Sequence, residues 1–189
     1  MAWAKLATKT LAGSASNVTT DTFTASKFNQ TLGHVISTGS TMYPYQRYSG
    51  NANNVYAYRY NENGAVGADQ TSVSTSGQSA TQAGTANSTF VANYICSITG
   101  EEKLIISFFM ESGTAGAGNA PKRVELVGKF VPSPDANITE YKIYDYYSAS
   151  YLATDTNATV LGSDATASNS IQNGLEFHET DTNKDYVFN

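Results

Sequence analysis

Short segments rich in β-branched and aromatic residues recur along most of this chain, and clusters of Gly, Asn, Ser or Pro separate them. Helical periodicity is nearly absent. Short strands at such regular spacing are typical of an antiparallel sandwich or barrel. We therefore predict an all-β main body with strands at residues 4–11, 19–25, 31–38, 42–48, 55–61, 89–99, 103–111, 122–130, 138–146 and 158–161.

The segment at 90–98 alternates most clearly between apolar and other residues. Its even-numbered positions carry Phe90, Ala92, Tyr94, Cys96 and Ile98. Successive side chains of a strand point to opposite faces, so these five share one face. We expect that face to pack on a second sheet and to bury Cys96. Because Cys96 is the only cysteine in the sequence, no intramolecular disulfide is possible.

Two turns indicate antiparallel hairpins. Gly100 separates two strong strand patterns, and the pair Asn63 and Gly64 follows the strand predicted at 55–61. Residues 65–88 are small and polar, which fits either a long loop or a weak edge strand. Three hairpin-like pairs and this one long excursion favour a Greek-key, jelly-roll-like β-sandwich of two antiparallel sheets.

The amino-acid composition changes after Gly162. We predict a sandwich domain over residues 1–162, a linker over 163–173 that has few apolar residues, and a C-terminal β-hairpin over 174–189. The hairpin would pair strands at 175–178 and 185–188. A hairpin of this size is marginal in water by itself, so we expect it to dock on the main body or on a partner.

Charge and hydropathy exclude several classes of protein. The net charge is −5 with only 11 Lys and Arg residues, which argues against nucleic-acid binding because that binding depends on neutralising phosphates. No apolar stretch approaches the roughly 18 residues of a membrane-spanning helix, so we expect no membrane insertion. The first eleven residues lack a signal-peptide pattern, although a charged content of 14% suits a protein exposed outside cells. A virus component would fit both observations, because virus components assemble in the host cytoplasm and reach the exterior by lysis.

Motifs for catalysis are weak. The glycine-rich stretch at 114–122 joins two predicted strands and lacks the helix that follows a phosphate-binding loop, so we interpret it as a connecting loop. Glu101, Glu102, Glu111 and Asp145 could supply a glycosidase pair, but acids on a polar strand face are far more often solvated. We predict that the protein is not an enzyme and uses no cofactor.

Candidate metal ligands are equally sparse. Asp181, Asn183 and Asp185 repeat the first oxygen positions of a calcium loop, but Tyr186 replaces the required glycine. The two histidines, His34 in a predicted strand and His178 in the terminal hairpin, are too isolated for a usual zinc site. We predict an ordinary polar turn at 181–185 and no metal.

One aromatic cluster is a candidate contact surface. Between residues 141 and 151, tyrosines alternate with polar groups, a pattern that suits stacking on sugars or packing at a protein interface. The same pattern fits a strand and loop whose tyrosines line the edge of the sandwich, and both interpretations stay open. The candidate residues are Tyr141, Tyr144, Tyr146, Tyr147 and Tyr151.

Several stretches carry a resemblance to known proteins. The opening Ala2-Trp-Ala-Lys-Leu, the strand start Glu102-Lys-Leu-Ile-Ile, the loop Gly116-Ala-Gly-Asn-Ala-Pro-Lys-Arg, the strand end Val127-Gly-Lys-Phe and the segment Val160-Leu-Gly span most of residues 2–162. Together they resemble small β-rich virion structural proteins of marine tailed viruses of bacteria and archaea. The terminal residues 177–188 are similar to a short module found near the ends of viral fibre and capsid-associated proteins.

The resemblance implies a virion component, either a capsid decoration protein or part of a tail or fibre. We expect a non-enzymatic viral structural protein that mediates assembly, host attachment or both, with other virion proteins as partners. A homotrimer or another symmetric homo-oligomer is expected by analogy. The alternative is a carbohydrate-binding adhesin that uses the tyrosine cluster to bind a host surface glycan. A glycoside hydrolase or lyase is the weakest of these hypotheses.

Overall fold

The computed structural model describes residues 3–39, 42–77, 88–113, 116–132, 136–147 and 149–164, together with two strands near the C-terminus. None of these residues is helical, so none of them forms a helix that could cross a membrane. The strands in this part of the chain are β1 (Ala4–Thr10), β2 (Asn17–Thr19), β3 (Phe28–Ile36), β4 (Pro44–Tyr48), β5 (Tyr56–Glu62), β6 (Ala65–Val73), β7 (Ser88–Cys96), β8 (Lys103–Glu111), β9 (Lys122–Phe130), β10 (Tyr141–Asp145), β11 (Asn157–Ser163), β12 (Glu176–Glu179) and β13 (Lys184–Val187).

Two antiparallel sheets of unequal size pack face to face. The large sheet has eight strands in the order β1-β11-β3-β7-β8-β9-β5-β6, and the small sheet has three in the order β2-β10-β4. A buried hydrogen bond of 3.1 Å from Gln46 of β4 to Asn93 of β7 joins the two layers. The predicted all-β antiparallel sandwich is confirmed, and the finer prediction of a jelly-roll strand order stays a prediction.

The hairpin turns lie where the sequence indicates. β7 and β8 pair across Gly100, and β5 and β6 pair across Asn63 and Gly64, which both have positive φ angles. β6 is the outermost strand of the large sheet, so the first part of the 65–88 region is an edge strand. The glycine-rich stretch connects β8 to β9, as predicted. At residues 20–25 the regular ladder predicted for 19–25 is replaced by isolated bonds, such as Phe23 N–H to the Thr139 carbonyl (2.9 Å).

The prediction for the inward face of β7 is wrong. Val91, Asn93 and Ile95 point into the sandwich and are at most 3% exposed, whereas Phe90 and Tyr94 are 43% and 48% exposed on the outside of the large sheet. Cys96 lies on the same outer face and is half-buried rather than buried. The polar Asn93 can face the core because Gln46 and Tyr141 satisfy its amide there.

The C-terminal hairpin is present as the antiparallel pair of β12 and β13, with Phe177 opposite Tyr186. Its strands begin and end within about one residue of the predicted ones. The sandwich extends to Ser163 in β11, and Asp164 accepts a hydrogen bond from the Lys27 backbone at 2.8 Å. Most of the predicted linker, from residue 165 onward, lies outside the described residues.

One buried acid lies at the end of β8. Glu111 is 2% exposed, and neither of its carboxylate oxygens has a hydrogen-bond partner among the described residues. The Nζ of Lys122 lies 3.7 Å from one oxygen, which is too long for a hydrogen bond. Burial therefore raises the pKa of the Glu111 carboxyl, and Lys122 offsets the increase only in part.

Replacing Glu111 by glutamine is expected to stabilise the protein at pH 7 by about 1 kcal/mol, because an uncharged amide costs less to bury than an ionised carboxylate that has no hydrogen bonds. A raised pKa in the folded state means that the wild-type protein loses stability as pH rises through that pKa. Urea unfolding of both proteins at pH 4 and pH 7 checks this: the difference between them should shrink at the lower pH. An equal or larger difference at pH 4 would contradict the assignment.

Candidate functional site

A cluster of tyrosines covers the outside of the small sheet. In β4 and β10 alternate residues point inward and are buried, so Tyr45 and Arg47 of β4 and Lys142 and Tyr144 of β10 point outward. Register places Tyr45 directly opposite Tyr144. The backbone alternation of two neighbouring strands thus brings rings together from distant parts of the sequence.

The rings pack in a continuous series that we call the tyrosine surface: Tyr43, Tyr45, Tyr144, Tyr146 and Tyr147. Tyr45 and Tyr146 are stacked, with centroids 5.0 Å apart and planes inclined by 28°. Tyr45 also contacts Tyr144 at 5.9 Å. Tyr147 packs edge-on against both Tyr43 and Tyr146, at 5.6 Å and 5.4 Å. Tyr146 and Tyr147 are 57% and 60% exposed, so rigid aromatic faces are available to a ligand.

The carboxylate of Asp145 fixes the backbone next to the two exposed tyrosines. Asp145 is fully buried, and its two oxygens accept hydrogen bonds from the backbone N–H groups of Tyr43 and Ala149, each at 3.2 Å. The Tyr146 N–H donates to the Tyr43 carbonyl at 3.0 Å. Asp145 was a candidate acid from the sequence, and here both oxygens serve to fix the turn that follows β10.

Two polar grooves border the tyrosine surface. The first has a volume of about 210 Å³ and places Arg47 and Lys142 beside Tyr45 and Tyr144. The second has a volume of about 340 Å³ and lies between Tyr45, Tyr146 and the edge of the large sheet. Its wall includes further groups that can donate or accept hydrogen bonds, namely Asn54, Tyr58, Tyr60, Gln70 and Ser72.

The tyrosine rings are neutral at pH 7, and Arg47 and Lys142 bring two positive charges to the first groove, whose wall also includes Asp145. Burial, together with neighbouring tyrosines, raises the pKa of Tyr45 to about 12, and burial likewise raises that of Tyr58 to about 12. Both hydroxyls are therefore protonated at neutral pH and can donate as well as accept hydrogen bonds. The guanidinium of Arg47 lies 4.2 Å from the centroid of the Tyr144 ring, a cation–π contact.

The structure separates the five tyrosines predicted from sequence. Tyr144, Tyr146 and Tyr147 belong to the tyrosine surface. Tyr141 is fully buried, and its hydroxyl donates to Gln46 at 3.1 Å, so it belongs to the core. Tyr151 is half-buried and packs against the core.

Sequence reasoning missed Tyr43 and Tyr45. Both precede the predicted cluster by about a hundred residues, and the pairing of β4 with β10 brings them into it. A local signal did exist, because Tyr45 and Arg47 alternate with Gln46 and Tyr48 in a strand pattern. That pattern does not say which of the two faces is buried.

Other predicted motifs do not form a site in the described part of the chain. No group of three or more His, Cys, Asp or Glu side chains able to hold a metal ion occurs among the residues described. Glu102 is exposed and pairs with Lys129 at 2.9 Å, and His34 lies exposed on β3. Residues 181–183 of the calcium-like sequence lie outside the described residues.

Comparisons with known proteins give no match for this chain. No family model matches its sequence, and neither a curated protein nor a solved structure is significantly similar to it. The tyrosine surface and its two grooves therefore carry the functional interpretation.

Proposed function

We propose that this protein is a non-enzymatic attachment component of a virion that binds surface carbohydrate through the tyrosine surface. The observation that carries the proposal is the stacked pair of the half-buried Tyr45 and the exposed Tyr146, which lies between two polar grooves. Aromatic rings offer flat apolar faces to the C–H groups of a sugar ring, and the adjoining hydroxyls and amides can bind the sugar's hydroxyl groups.

The first groove favours an oligosaccharide that contains an acidic unit. Arg47 and Lys142 bring two positive charges to a protein whose net charge is −5. Asp145 also lines this groove, but its carboxylate is buried and accepts two backbone hydrogen bonds, so Arg47 and Lys142 are the charged groups that a ligand can contact directly. A guanidinium and an ammonium next to an aromatic ring can bind the carboxylate of a uronic or sialic acid.

The virion setting rests on the sequence resemblance, which covers most of residues 2–162, and on the sandwich of two antiparallel sheets. A sandwich with a rigid antiparallel core and a contact surface on one side suits a capsid decoration, tail or fibre protein that touches a host. Assembly in the host cytoplasm, with release by lysis, follows from the same resemblance. Attachment is favoured over a purely structural role because a buried carboxylate fixes the turn that carries two exposed tyrosines.

Replacing Tyr146 by alanine is expected to weaken carbohydrate binding at least tenfold, about 1.4 kcal/mol, because one side of the stacking platform is lost. The measurement is titration calorimetry with soluble neutral and uronic-acid oligosaccharides chosen from an array. Affinity for the acidic ligand should also fall as salt concentration rises. Thermal unfolding should be almost unchanged, because Tyr146 is 57% exposed.

The matched control is Tyr94→Ala, which removes a tyrosine of similar exposure, 48%, from the outside of the large sheet. It should leave the affinity for a monovalent oligosaccharide unchanged. Equal loss of binding in both variants, or an array on which the wild-type protein binds no oligosaccharide, would overturn the proposal.

A further inference from the structure

The outside of the large sheet is an exposed apolar face. Six side chains on the three neighbouring strands β7, β8 and β9 point away from the core and are between 39% and 59% exposed: Phe90, Tyr94, Leu104, Ile106, Met110 and Val127. Register aligns Tyr94, Ile106 and Val127 in one row across the three strands. On β8, Leu104 lies two residues before Ile106 and Met110 lies four residues after it, on the same face. We call these six residues the outer sheet face.

Its area is at the upper end of the range for the largest apolar patch on a monomeric protein, about 300–600 Å². With side chains of about 150–250 Å² each, the exposed fractions leave roughly 600 Å² of contiguous apolar surface. Trp3 extends this face beside a shallow groove of about 600 Å³ that Phe28, Tyr94 and Leu104 also line. A standard stable interface covers about 800 Å² on each partner, so this face and its rim have the size of one side of a protein interface.

The charges around this face argue against a strongly charged partner. Three pairs of opposite charge lie beside it: Arg59 with Asp69, Arg123 with Glu125, and Lys129 with Glu102, at 2.6, 3.6 and 2.9 Å. Lys27 adds a positive charge at the groove, where its Nζ lies 5.4 Å from the centroid of the Phe28 ring. The face thus has an apolar centre, and its rim is locally neutral along β5, β6 and β9. Two identical copies of it can meet without like-charge repulsion, which a two-fold symmetric interface requires.

We propose that two copies of this chain pair through the outer sheet face, sheet against sheet, about a two-fold axis. A flat sheet face that packs on its own copy is an isologous contact, and it closes after two subunits. The expected homotrimer would instead need two different complementary patches. Because the tyrosine surface lies on the opposite side of the sandwich, pairing leaves both copies of it free and pointing away from each other.

The test is sedimentation equilibrium of the full-length protein over about a hundredfold range of concentration, for the wild type and for Ile106→Lys. The wild type should sediment as a dimer. Ile106→Lys should raise the dimer dissociation constant at least about a hundredfold, because the two-fold axis places the new charge in the interface twice. Ile106 is 48% exposed, so the substitution creates no cavity, and Val127→Lys on the adjacent strand should act in the same way.

Tyr147→Lys is the control for association, since it adds the same charge at a 60% exposed aromatic residue on the opposite side of the molecule. It should leave the dimer intact. Cys96 gives a second reading because it is half-buried on the same face as Leu104: its reaction rate with a thiol reagent should fall as the wild-type protein becomes dimeric, and not in Ile106→Lys.

Three results would overturn the pairing. The first is a wild-type protein that is monomeric over the whole concentration range. If Cys96 is also unreactive in that monomer, another part of the chain covers the face. The second is an oligomer unaffected by both Ile106→Lys and Val127→Lys. The third is a trimer. Carbohydrate binding to the tyrosine surface is independent of each of these outcomes.

Discussion

Replacing Tyr56 by alanine is expected to lower the free energy of unfolding by about 4 kcal/mol. Tyr56 is fully buried in the large sheet, and its ring stacks on Phe130 with centroids 4.8 Å apart and planes inclined by 17°. Its hydroxyl accepts a hydrogen bond from the Tyr48 N–H at 3.0 Å, which joins the large sheet to the end of β4. The substitution removes the ring, leaves a cavity and exposes an unpaired backbone donor. Equilibrium unfolding in urea measures the loss.

Tyr56→Phe separates the two contributions. It keeps the ring and removes the hydroxyl, so it should cost about 1–2 kcal/mol, the usual penalty for a buried backbone donor without a partner. A loss in Tyr56→Ala no greater than that in Tyr56→Phe would contradict the account of the core, because it would mean that the stacked ring contributes little.

Replacing Asn93 by leucine is expected to cost about 3 kcal/mol, although leucine is the more apolar residue. Asn93 is fully buried between the sheets and donates to Thr31 at 2.5 Å and to Gln46 at 3.0 Å. Gln46 also donates to Ser107 at 3.2 Å, so this network crosses from one sheet to the other. Leucine would leave the amide of Gln46 without its main partner in a place that water does not reach.

A double-mutant cycle with Gln46→Met tests this explanation. If the cost of Asn93→Leu comes from the unpaired amide, the double variant should be more stable than the sum of the two single losses predicts, by at least about 1 kcal/mol. Strictly additive losses would contradict a direct coupling between the two amides. The measurement is again urea unfolding of the four proteins under one set of conditions.

The strands and hairpins were predictable from sequence because their signals are local. Lys103–Glu111 and Lys122–Phe130 begin and end at the predicted residues, and Gly100 marks the turn between β7 and β8. Alternation within a segment of eight or nine residues is enough to identify a strand. The segment at 20–25 was less well predicted, because its bonds to Thr139 and Tyr141 are irregular contacts with a distant part of the chain.

The inward face of β7 was not predictable from the same alternation. The more apolar residues, such as Phe90 and Tyr94, point outward, and Asn93 points inward. Hydrophobic burial alone favours the opposite choice. The observed choice places Asn93 against Gln46, which is distant in sequence and satisfies the Asn93 amide, and it leaves the outer sheet face exposed.

The candidate site was predictable in part for a similar reason. Tyr144, Tyr146 and Tyr147 lie close together in sequence, so their density could be recognised. Tyr45 joins them through the pairing of β4 with β10, which no local pattern reveals. Tyr141 was included because it continues the run of tyrosines, but strand alternation turns it inward.

Observing a bound oligosaccharide directly is the measurement that bears most closely on carbohydrate attachment. Aromatic-region NMR spectra of the protein, recorded during titration with an acidic oligosaccharide, should show shifts concentrated in the rings of Tyr45, Tyr144 and Tyr146. Shifts confined to Phe90, Tyr94 and the rest of the outer sheet face, or spectra that no oligosaccharide changes, would contradict the assignment of the tyrosine surface as the attachment site.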